Sequence, residues 1–321
     1  MATQQHIQGC GVQLFTTTRG NPEAPAIVLV HGYPDNQQVW NGVAERLASD
    51  WYVVTYDVRG AGLSDRPART RDYRMSLLAR DLEAVVDALL PDRRFHLVAH
   101  DWGSIQSWES VTGRPLQHRI ASFTTLSGPC LDHVGHWMRA RLARPTPRRV
   151  GQLLRQLGSS WYIFAFQLPW VAPTLWETLL VERWPAYLNA SEGIAEETPN
   201  PHQTADGRDG TRLYRANMLP HLLSPRVRYA HCPVQLIVPR QDRYVGAQLF
   251  EDLHEWVPAL YRRDMDAGHW APLSHPDELA ESIAEFVQSV EGGDPDSALA
   301  SLRIHNVTSQ TRHSATVLKT V

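Results

Sequence analysis

The segment LVAHDWGS, residues 97–104, combines features of two structural elements. Its first residues are apolar and suit a buried strand, and its last residues are small and suit a tight turn into a helix. Asp101 stands at the apex of that turn. A nucleophile at such an elbow needs small neighbours two positions away on each side, and Ala99 and Gly103 provide them. The segment predicts a carboxylate presented at a strand end, although an aspartate that only caps the following helix would have the same sequence.

Similar apolar runs recur through the chain and predict the fold class. They are AIVLV (26–30), YVVTY (52–56), FHLVA (95–99), ASFTTL (121–126) and VQLIV (234–238), and a less apolar run, ALYRRDM (259–265), continues the alternation. Runs that are apolar throughout are typical of strands covered on both faces in a parallel sheet. Segments with helical spacing, such as MSLLARDLEAVVDALL and PDELAESIAEFVQSV, lie between and after them. The alternation predicts an α/β fold with a mostly parallel central sheet flanked by helices.

Two stretches depart from this alternation. Residues 133–220 contain no strand-like run and are rich in Trp, Leu and Pro, as in WYIFAFQLPWVAPTLWETLLVERW. We interpret them as a helical lid inserted into a core formed by residues 1–132 and 221–291, since insertions in open sheets lie beside the crevice where ligands bind. Residues 292–321 open with Gly, Asp and Pro and show no clear period, so we expect a mobile tail or linker.

Composition excludes several classes of function. The 321 residues carry a net charge of −3 with both signs scattered, which argues against nucleic acid as a partner. The three cysteines, Cys10, Cys130 and Cys232, are far apart and suit reduced thiols. The N-terminus has no signal-peptide pattern and no apolar stretch approaches the ~20 residues of a membrane span. We therefore expect a cytoplasmic protein without a membrane span, and the sequence leaves open whether it forms a homodimer.

Two loop motifs follow the first predicted strands. HGYPD, residues 31–35, comes directly after AIVLV, where a loop of this type contributes a backbone N–H to an oxyanion hole. Tyr33 would supply one N–H and Trp102, next after Asp101, the other. The second motif, RGAGLSD at residues 59–65, has two glycines, but their spacing fits neither a Walker loop nor a dinucleotide fingerprint. We interpret it as a tight loop at a strand end.

Two residues late in the chain complete a possible catalytic set. His269 follows Gly268 after the last predicted strand, where an exposed base would sit, and Asp242 lies just beyond VQLIV. Asp101, Asp242 and His269 then occur in the order nucleophile, acid, base, which is the chain order of the α/β-hydrolase triad. Asp132, after the strand ASFTTL, is the competing candidate for the acid.

These motifs together resemble the epoxide hydrolase family of the α/β-hydrolase superfamily, in its aspartate-nucleophile branch. The resemblance spans about residues 8–291 and rests on HGYPD, RGAGLSD, AHDWG, RQDRYV and GHW. Two matches lie in the lid, where the family places a tyrosine five residues before the glutamine of an F-Q-x-P segment and another before an arginine. Tyr162 and Tyr214 stand at those positions. A weaker resemblance is to the hydrolase half of two-domain relatives that continue into a short-chain dehydrogenase.

The resemblance implies conversion of an apolar epoxide and water to a diol, with no metal and no organic cofactor. A carboxylate is already ionised at neutral pH, and its attack on a saturated carbon gives a stable alkyl ester. Asp101 would form that ester, Tyr162 and Tyr214 would donate to the epoxide oxygen, and His269 with Asp242 would activate water. The expected substrate-binding residues are His31, Trp161, Phe164, Phe166 and Trp270.

Two alternatives stay open at this stage. A haloalkane dehalogenase uses the same nucleophile, but that branch typically has asparagine at the position of Tyr33 to hold a halide, and it would leave both lid tyrosines unexplained. A catalytically inactive receptor for an apolar ligand is the other alternative. Such proteins usually lose the nucleophile or the base, whereas Asp101 and His269 are both present.

Overall fold

A single nine-stranded sheet runs through the part of the chain that the computed structural model describes, residues 2–194 and 200–304. Its strands are Thr3–Gln8 (β1), Gln13–Arg19 (β2), Ala26–Val30 (β3), Tyr52–Tyr56 (β4), Phe95–His100 (β5), Ile120–Leu126 (β6), Val234–Pro239 (β7), Leu260–Met265 (β8) and Arg303–Ile304 (β9). Their order across the sheet is β1-β2-β4-β3-β5-β6-β7-β8-β9. The six central strands are mutually parallel; they are β4, β3, β5, β6, β7 and β8. At the edges, β2 pairs antiparallel with β4, β1 with β2, and β9 with β8.

The predicted fold class and all six predicted strands are confirmed. Strands β3 to β7 are buried at every position, as their uninterrupted apolar runs require. The antiparallel pair β1 and β2 was not predicted. Strand β1, TQQHIQ, is polar and almost entirely exposed, and its pairing with β2 keeps it extended. An edge strand held by backbone hydrogen bonds leaves little hydrophobic pattern in the sequence.

Helices cover both faces of the sheet. The helices around the core are Asn41–Leu47 (α1), Met75–Leu89 (α2), Trp102–Val111 (α3), Ala271–Ser274 (α10) and Pro276–Glu291 (α11). Alternate residues of β3 point to opposite sides: Val28 and Val30 pack in the cluster that includes α2 and α3, while Ile27 and Leu29 pack in the cluster that includes α1 and α11. This period of two fixes which face each helix covers.

The described residues between β6 and β7 contain helices and no strand. These inserted helices are Leu131–Ala143 (α4), Pro147–Ser159 (α5), Trp161–Gln167 (α6), Val171–Leu175 (α7), Val181–Glu192 (α8) and Gln203–Leu223 (α9), with a π-helical turn at Trp176–Leu180. Helix α5 begins with a capping threonine, Thr146, whose hydroxyl accepts the N–H of Arg149, followed by proline at the first position. Among all described residues, no helix has the length and apolarity needed to cross a membrane.

The expectation of a separate tail from residue 292 is wrong for residues 292–304. A short helix, Pro295–Ala298 (α12), leads into β9, which pairs with β8. Leu299 is buried against Tyr261 and Phe286. Residues 292–304 are mainly polar, but pairing with the edge of β8 and burial of Leu299 hold them in place. The remainder of the expected tail, residues 305–321, lies outside the described residues.

An ion pair inside the protein joins three parts of the core. Arg59 contacts Asp81 of α2 in a bidentate arrangement, with Nε 2.6 Å from Oδ2 and Nη2 2.7 Å from Oδ1, and both side chains are buried. Arg59 also donates to the carbonyl of Asp72 and to the carbonyl of Cys10 between β1 and β2. The arginine of the RGAGLSD motif therefore stabilises the fold.

Replacing this arginine should destabilise the protein strongly. Arg59→Met leaves the Asp81 carboxylate buried without a counter-charge, which is expected to lower the free energy of unfolding by about 3–5 kcal/mol. Urea denaturation followed by circular dichroism measures the change. The double variant Arg59→Met with Asp81→Leu should recover most of the loss, and Arg80→Met, at an exposed position of α2, is the matched control. A loss below about 1 kcal/mol for Arg59→Met would contradict this role.

Candidate active site

Asp101 lies at a strained turn between β5 and α3. Its backbone has φ +50° and ψ −124°, a region that residues with a side chain rarely adopt. The turn needs small neighbours, since a Cβ at Gly103 would lie 2.3 Å from the Val30 carbonyl oxygen, and one at Gly128 would lie 2.3 Å from that of Asp101. The Asp101 side chain makes no capping hydrogen bond to α3. The structure therefore contains the elbow rather than a helix cap.

The two carboxylate oxygens of Asp101 have different partners. Oδ1 accepts the backbone N–H of Tyr33 at 2.7 Å, and Oδ2 lies 3.5 Å from Nε2 of His269. The HGYPD loop approaches this closely because residue 32 is glycine, where a Cβ would lie 2.4 Å from Oδ1. The structure brings the expected nucleophile, one expected oxyanion donor and the expected base together. Trp102, the other expected donor, is buried at the first position of α3.

Asp242 occupies the expected place of the acid. Its Oδ2 lies 3.1 Å from Nδ1 of His269, and its Oδ1 accepts the backbone N–H groups of Tyr244 and Val245 at 2.8 and 3.0 Å. Burial favours a higher pKa for Asp242, but the charge and hydrogen bond of His269 and the two backbone donors outweigh it and lower the pKa. Asp242 is therefore held as a carboxylate that fixes the orientation of the imidazole.

The competing acid, Asp132, serves a different purpose. Its carboxylate accepts the backbone N–H of Arg226 at 2.9 Å and the guanidinium of the same residue at 2.8 Å, and it also faces His221. Burial opposes ionisation, but these hydrogen bonds lower the pKa of Asp132 far below its usual range. Asp132 anchors the segment that follows α9, and Asp242 is the acid beside His269.

His269 is buried between two carboxylates. Burial alone would lower the pKa of its imidazole, but the charge of Asp242, with the hydrogen bond and charge of Asp101, raises that pKa well above 6.5. His100, whose Nε2 lies 2.9 Å from the carbonyl oxygen of His269, has the opposite environment. Burial lowers the pKa of His100 to about 4, so its neutral ring donates to that carbonyl and supports the loop.

The two lid tyrosines lie next to each other, although they are 52 positions apart in the sequence. The ring centroids of Tyr162 on α6 and Tyr214 on α9 are 6.0 Å apart, and the Tyr214 ring lies 4.7 Å from that of Trp102. Burial raises the pKa of both phenols, and the negative charge of Asp101 raises both further. Both phenols are therefore protonated hydrogen-bond donors at neutral pH, within electrostatic reach of Asp101.

Three of the expected substrate-binding residues lie at the site. Phe166 packs on the rings of Tyr33 and Tyr214 at 5.5 and 4.9 Å, and the Trp270 ring lies 4.7 Å from that of His269. His31 is buried, and both of its nitrogens are occupied: Nε2 accepts the N–H of Val58 and Nδ1 donates to the Gly32 carbonyl. His31 therefore holds the loop, a different role from the expected contact with substrate.

The expectation for Trp161 and Phe164 is wrong. Their side chains are 69% and 63% exposed on the outer side of α6, whereas Tyr162, Ile163 and Phe166 pack inward. A helix with 3.6 residues per turn cannot direct all of these aromatic side chains toward one pocket. The helical period within WYIFAFQ shows that Trp161 and Phe164 lie on a different side of the helix from Tyr162 and Phe166. Which side faces the core is set by the packing of α6 against α9.

Two further residues beside the site were not assigned from the sequence. Asp35, the last residue of HGYPD, accepts the indole N–H of Trp270 at 2.9 Å, and burial raises its pKa to about 7. Tyr244, two residues after Asp242, places its ring 4.9 Å from that of His269, and its hydroxyl bonds that of Tyr187 on α8. Both occur inside motifs that the sequence singled out, but their roles depend on contacts with distant elements.

The glycine-rich RGAGLSD loop contacts a lid helix. Asp206 of α9 accepts the backbone N–H of Gly62 at 2.9 Å and the guanidinium of Arg66 at 2.7 Å. One turn earlier, Gln203 donates to the Pro34 carbonyl at 2.9 Å. These contacts attach the start of α9 to two core loops, and they agree with the interpretation of RGAGLSD as a strand-end loop.

The electrostatic support of His269 by Asp242 is testable without any substrate. Burial lowers the pKa of His269, and the charge of Asp242 contributes most to raising it. Asp242→Asn removes that charge, so the pKa of His269 should fall, and the imidazole should lose its proton at a lower pH than in the wild type. Titration of ¹³C-labelled histidine by NMR measures the change, with His269→Gln to assign the resonance. Asp132→Asn is the matched control and should leave the pKa of His269 unchanged. An equal shift in both variants would contradict the pairing.

Comparisons with known proteins identify the fold family of the chain. The family model described as alpha/beta hydrolase fold matches residues 25–276. The protein called probable oxidoreductase EphD of Mycobacterium tuberculosis (strain ATCC 25618 / H37Rv) is 35% identical over 300 residues, covering 92% of this chain and 51% of that protein. Epoxide hydrolase 3 of Mus musculus is 25% identical over 301 residues, covering 89% of this chain and 77% of that protein.

Solved structures show the same fold. A mutant of an epoxide hydrolase from Bacillus megaterium matches with a TM-score of 0.74 at 20% identity, covering 88% of this chain and 100% of that one. The epoxide hydrolase VrEH1 of Vigna radiata matches with a TM-score of 0.70 at 22% identity, covering 90% and 98%. The chain spans about half the length of the EphD relative. Because the family model matches most of its residues, this chain belongs to the α/β-hydrolase fold family.

Proposed function

We propose that this chain is an epoxide hydrolase that forms an alkyl ester on Asp101. The observation that supports this best is the combination of a carboxylate at the elbow with two phenols beside it. A carboxylate nucleophile is suited to a saturated, electrophilic carbon, and phenols of raised pKa are suited to an oxygen that gains negative charge. The relatives named epoxide hydrolases are consistent with this chemistry.

Ring opening is the first step. Oδ1 of Asp101 is held by the N–H of Tyr33, so we assign the attack to Oδ2. Oδ2 forms a bond to one epoxide carbon as the carbon–oxygen bond breaks, and the released electron pair goes to the epoxide oxygen. Tyr162 and Tyr214 donate hydrogen bonds to that oxygen, and one of them supplies the proton. The inserted helices act as a lid that carries both donors.

Alkylation also prepares His269 for the second step. With Asp101 ionised, the pKa of His269 is high and the imidazole holds a proton. The ester carries no charge, so Asp101 no longer raises the pKa of His269, and that pKa falls although Asp242 still supports the charged form. The proton that the imidazole then gives up restores the phenol that lost its proton during ring opening. Neutral His269, oriented by Asp242, takes a proton from water as the water attacks the acyl carbon. The rate of this step should therefore rise with pH through the pKa that His269 has in the ester.

The oxyanion of the second step forms on Oδ1. The N–H of Tyr33 already lies 2.7 Å from this atom, so it requires little rearrangement to stabilise the tetrahedral intermediate. The N–H of Trp102 is the second donor in this proposal. Collapse of the intermediate breaks the Cγ–Oδ2 bond, and the leaving oxygen takes the second proton of the water, so the diol is released. Asp101 is again a carboxylate, and His269 is again protonated. Phe166 and Trp270 place apolar rings beside Tyr33 and His269, so we propose an apolar epoxide as the substrate.

Trapping the ester tests this division of labour. Asp101 needs no base, so His269→Gln should still open the epoxide but fail to release the diol, because no group activates water. Intact mass spectrometry with styrene oxide, and with terpene and fatty-acid epoxides, should show a mass increase equal to the substrate. Asp101→Asn is the control and should show none. If His269→Gln, shown to be folded, forms no adduct with any epoxide that the wild type hydrolyses, the covalent mechanism is contradicted.

The two phenols separate an epoxide hydrolase from a dehalogenase. A hydrogen-bond donor to an oxygen that gains charge stabilises the transition state by ~3 kcal/mol, which corresponds to about a hundredfold in rate. Because two phenols donate to the same oxygen, Tyr162→Phe and Tyr214→Phe should each slow alkylation by somewhat less than this. The double change should nearly abolish alkylation, measured by single-turnover kinetics. Tyr229→Phe, at an exposed tyrosine, is the matched control. Fast release of bromide from bromoalkanes that does not depend on the phenols, with negligible diol formation, would favour the dehalogenase.

A further inference from the structure

The outer side of the lid carries a row of exposed apolar side chains. These side chains, which we call the outer stripe, recur at spacings of three and four residues along α5, α6 and the residue that follows α6. They are Val150, Leu154, Leu157, Trp161, Phe164 and Leu168, with exposed fractions between 40% and 69%. Single exposed apolar residues are ordinary on a protein surface, but a continuous row of this size marks an interaction surface.

Helix α5 has the composition of a helix that lies on a membrane surface. None of its residues is buried. At 100° per residue, Leu154 and Leu157 lie on one edge of its exposed side, and Arg148 and Arg155 lie on the other. Helices with leucine or aromatic side chains on one face and arginine beside it bind at the boundary between lipid headgroups and acyl chains.

The charge of this region is strongly one-sided. Residues 133–176 contain six arginines and no aspartate or glutamate, although the chain as a whole has a net charge of −3. Arg141 and Arg148 pair with carboxylates of the core. The other four arginines have no carboxylate within 4.0 Å among residues 2–194 and 200–304; they are Arg139, Arg144, Arg149 and Arg155. A second copy meeting this face would bring like charges together, whereas an anionic surface complements them.

We propose that the outer stripe docks the protein on an anionic lipid membrane. Trp161 and Phe164 insert at the level of the headgroups, and the arginines beside them contact lipid phosphates. The inner side of the same helix α6 carries Tyr162 and Phe166, whose rings pack against that of Tyr214. Docking therefore places the lid between the membrane and the site. The docking does not depend on the proposed function. If the chain is an epoxide hydrolase, docking brings the site close to epoxides that are dissolved in the bilayer.

Vesicle flotation of the full chain tests the docking. The wild type should bind vesicles of phosphatidylcholine mixed with phosphatidylglycerol more tightly than vesicles of phosphatidylcholine alone, and added salt should weaken binding. Trp161→Ser with Phe164→Ser should weaken binding at least about tenfold through the lost apolar area. The triple variant Arg139→Gln, Arg144→Gln, Arg155→Gln, at three exposed positions, should weaken it to a similar degree.

Matched controls separate this surface from general effects of charge and apolarity. Arg69→Gln, Arg74→Gln, Arg80→Gln removes the same charge at exposed positions outside the lid, and Val227→Ser with Tyr229→Ser removes exposed apolar area elsewhere. Both should bind like the wild type, and circular dichroism checks that every variant is folded. Hydrolysis of a water-soluble epoxide is measured separately, so a failure of the proposed function does not affect the binding result.

Three results would overturn the docking proposal. The first is that the wild type binds both kinds of vesicle equally or binds neither. The second is that the outer-stripe variants bind as tightly as the wild type. The third is that the protein does not bind vesicles but forms a dimer that Trp161→Ser with Phe164→Ser disrupts. The third result, obtained by analytical ultracentrifugation, would assign the stripe to a contact between two copies of the chain. Salt-sensitive binding to the anionic vesicles that only the outer-stripe variants weaken supports the proposal.

Discussion

The hydrogen bond from the Tyr33 N–H to the carboxylate of Asp101 is the contact on which the site depends. It requires the loop after β3 to meet the elbow after β5, and therefore requires those strands to be parallel neighbours. The glycines at residues 32 and 103 allow the two backbones to approach. Since β7 and β8 end at the same edge of the sheet, Asp242 and His269 reach the same point. A parallel sheet thus collects residues from four distant parts of the sequence.

Charge interactions and burial together influence the protonation states in this cluster. His269 is buried, which by itself favours a neutral ring, and two carboxylates reverse that preference. Asp242 contributes most to this reversal, and the charge of Asp101 adds to it. In the mechanism that we propose, alkylation removes this charge and so converts the partner of the nucleophile into the base of the next step. Two backbone N–H groups stabilise the carboxylate of Asp242 in addition to His269.

The inserted helices connect the site with the outer surface of the protein. Helix α9 is held at both ends. Asp206 near its start contacts the core, and Arg226 after its end contacts Asp132 of α4. Helix α6 packs against α9 and divides its aromatic side chains between two environments. Tyr162 packs against Tyr214, whereas Trp161 is exposed. One short helix can therefore provide a phenol to the site and an apolar contact to a surface outside the protein.

The sequence alone determined the central sheet, the elbow and the chain order of the candidate triad. Those features are encoded locally, because a strand covered on both faces is apolar throughout and an elbow needs small residues at fixed offsets. The tertiary structure decided between Asp242 and Asp132, turned Phe164 outward, and paired the polar strand β1 and residues 303–304 with the sheet edges. Each of these outcomes depends on contacts between residues far apart in the chain, and neither local propensity nor periodicity records such contacts.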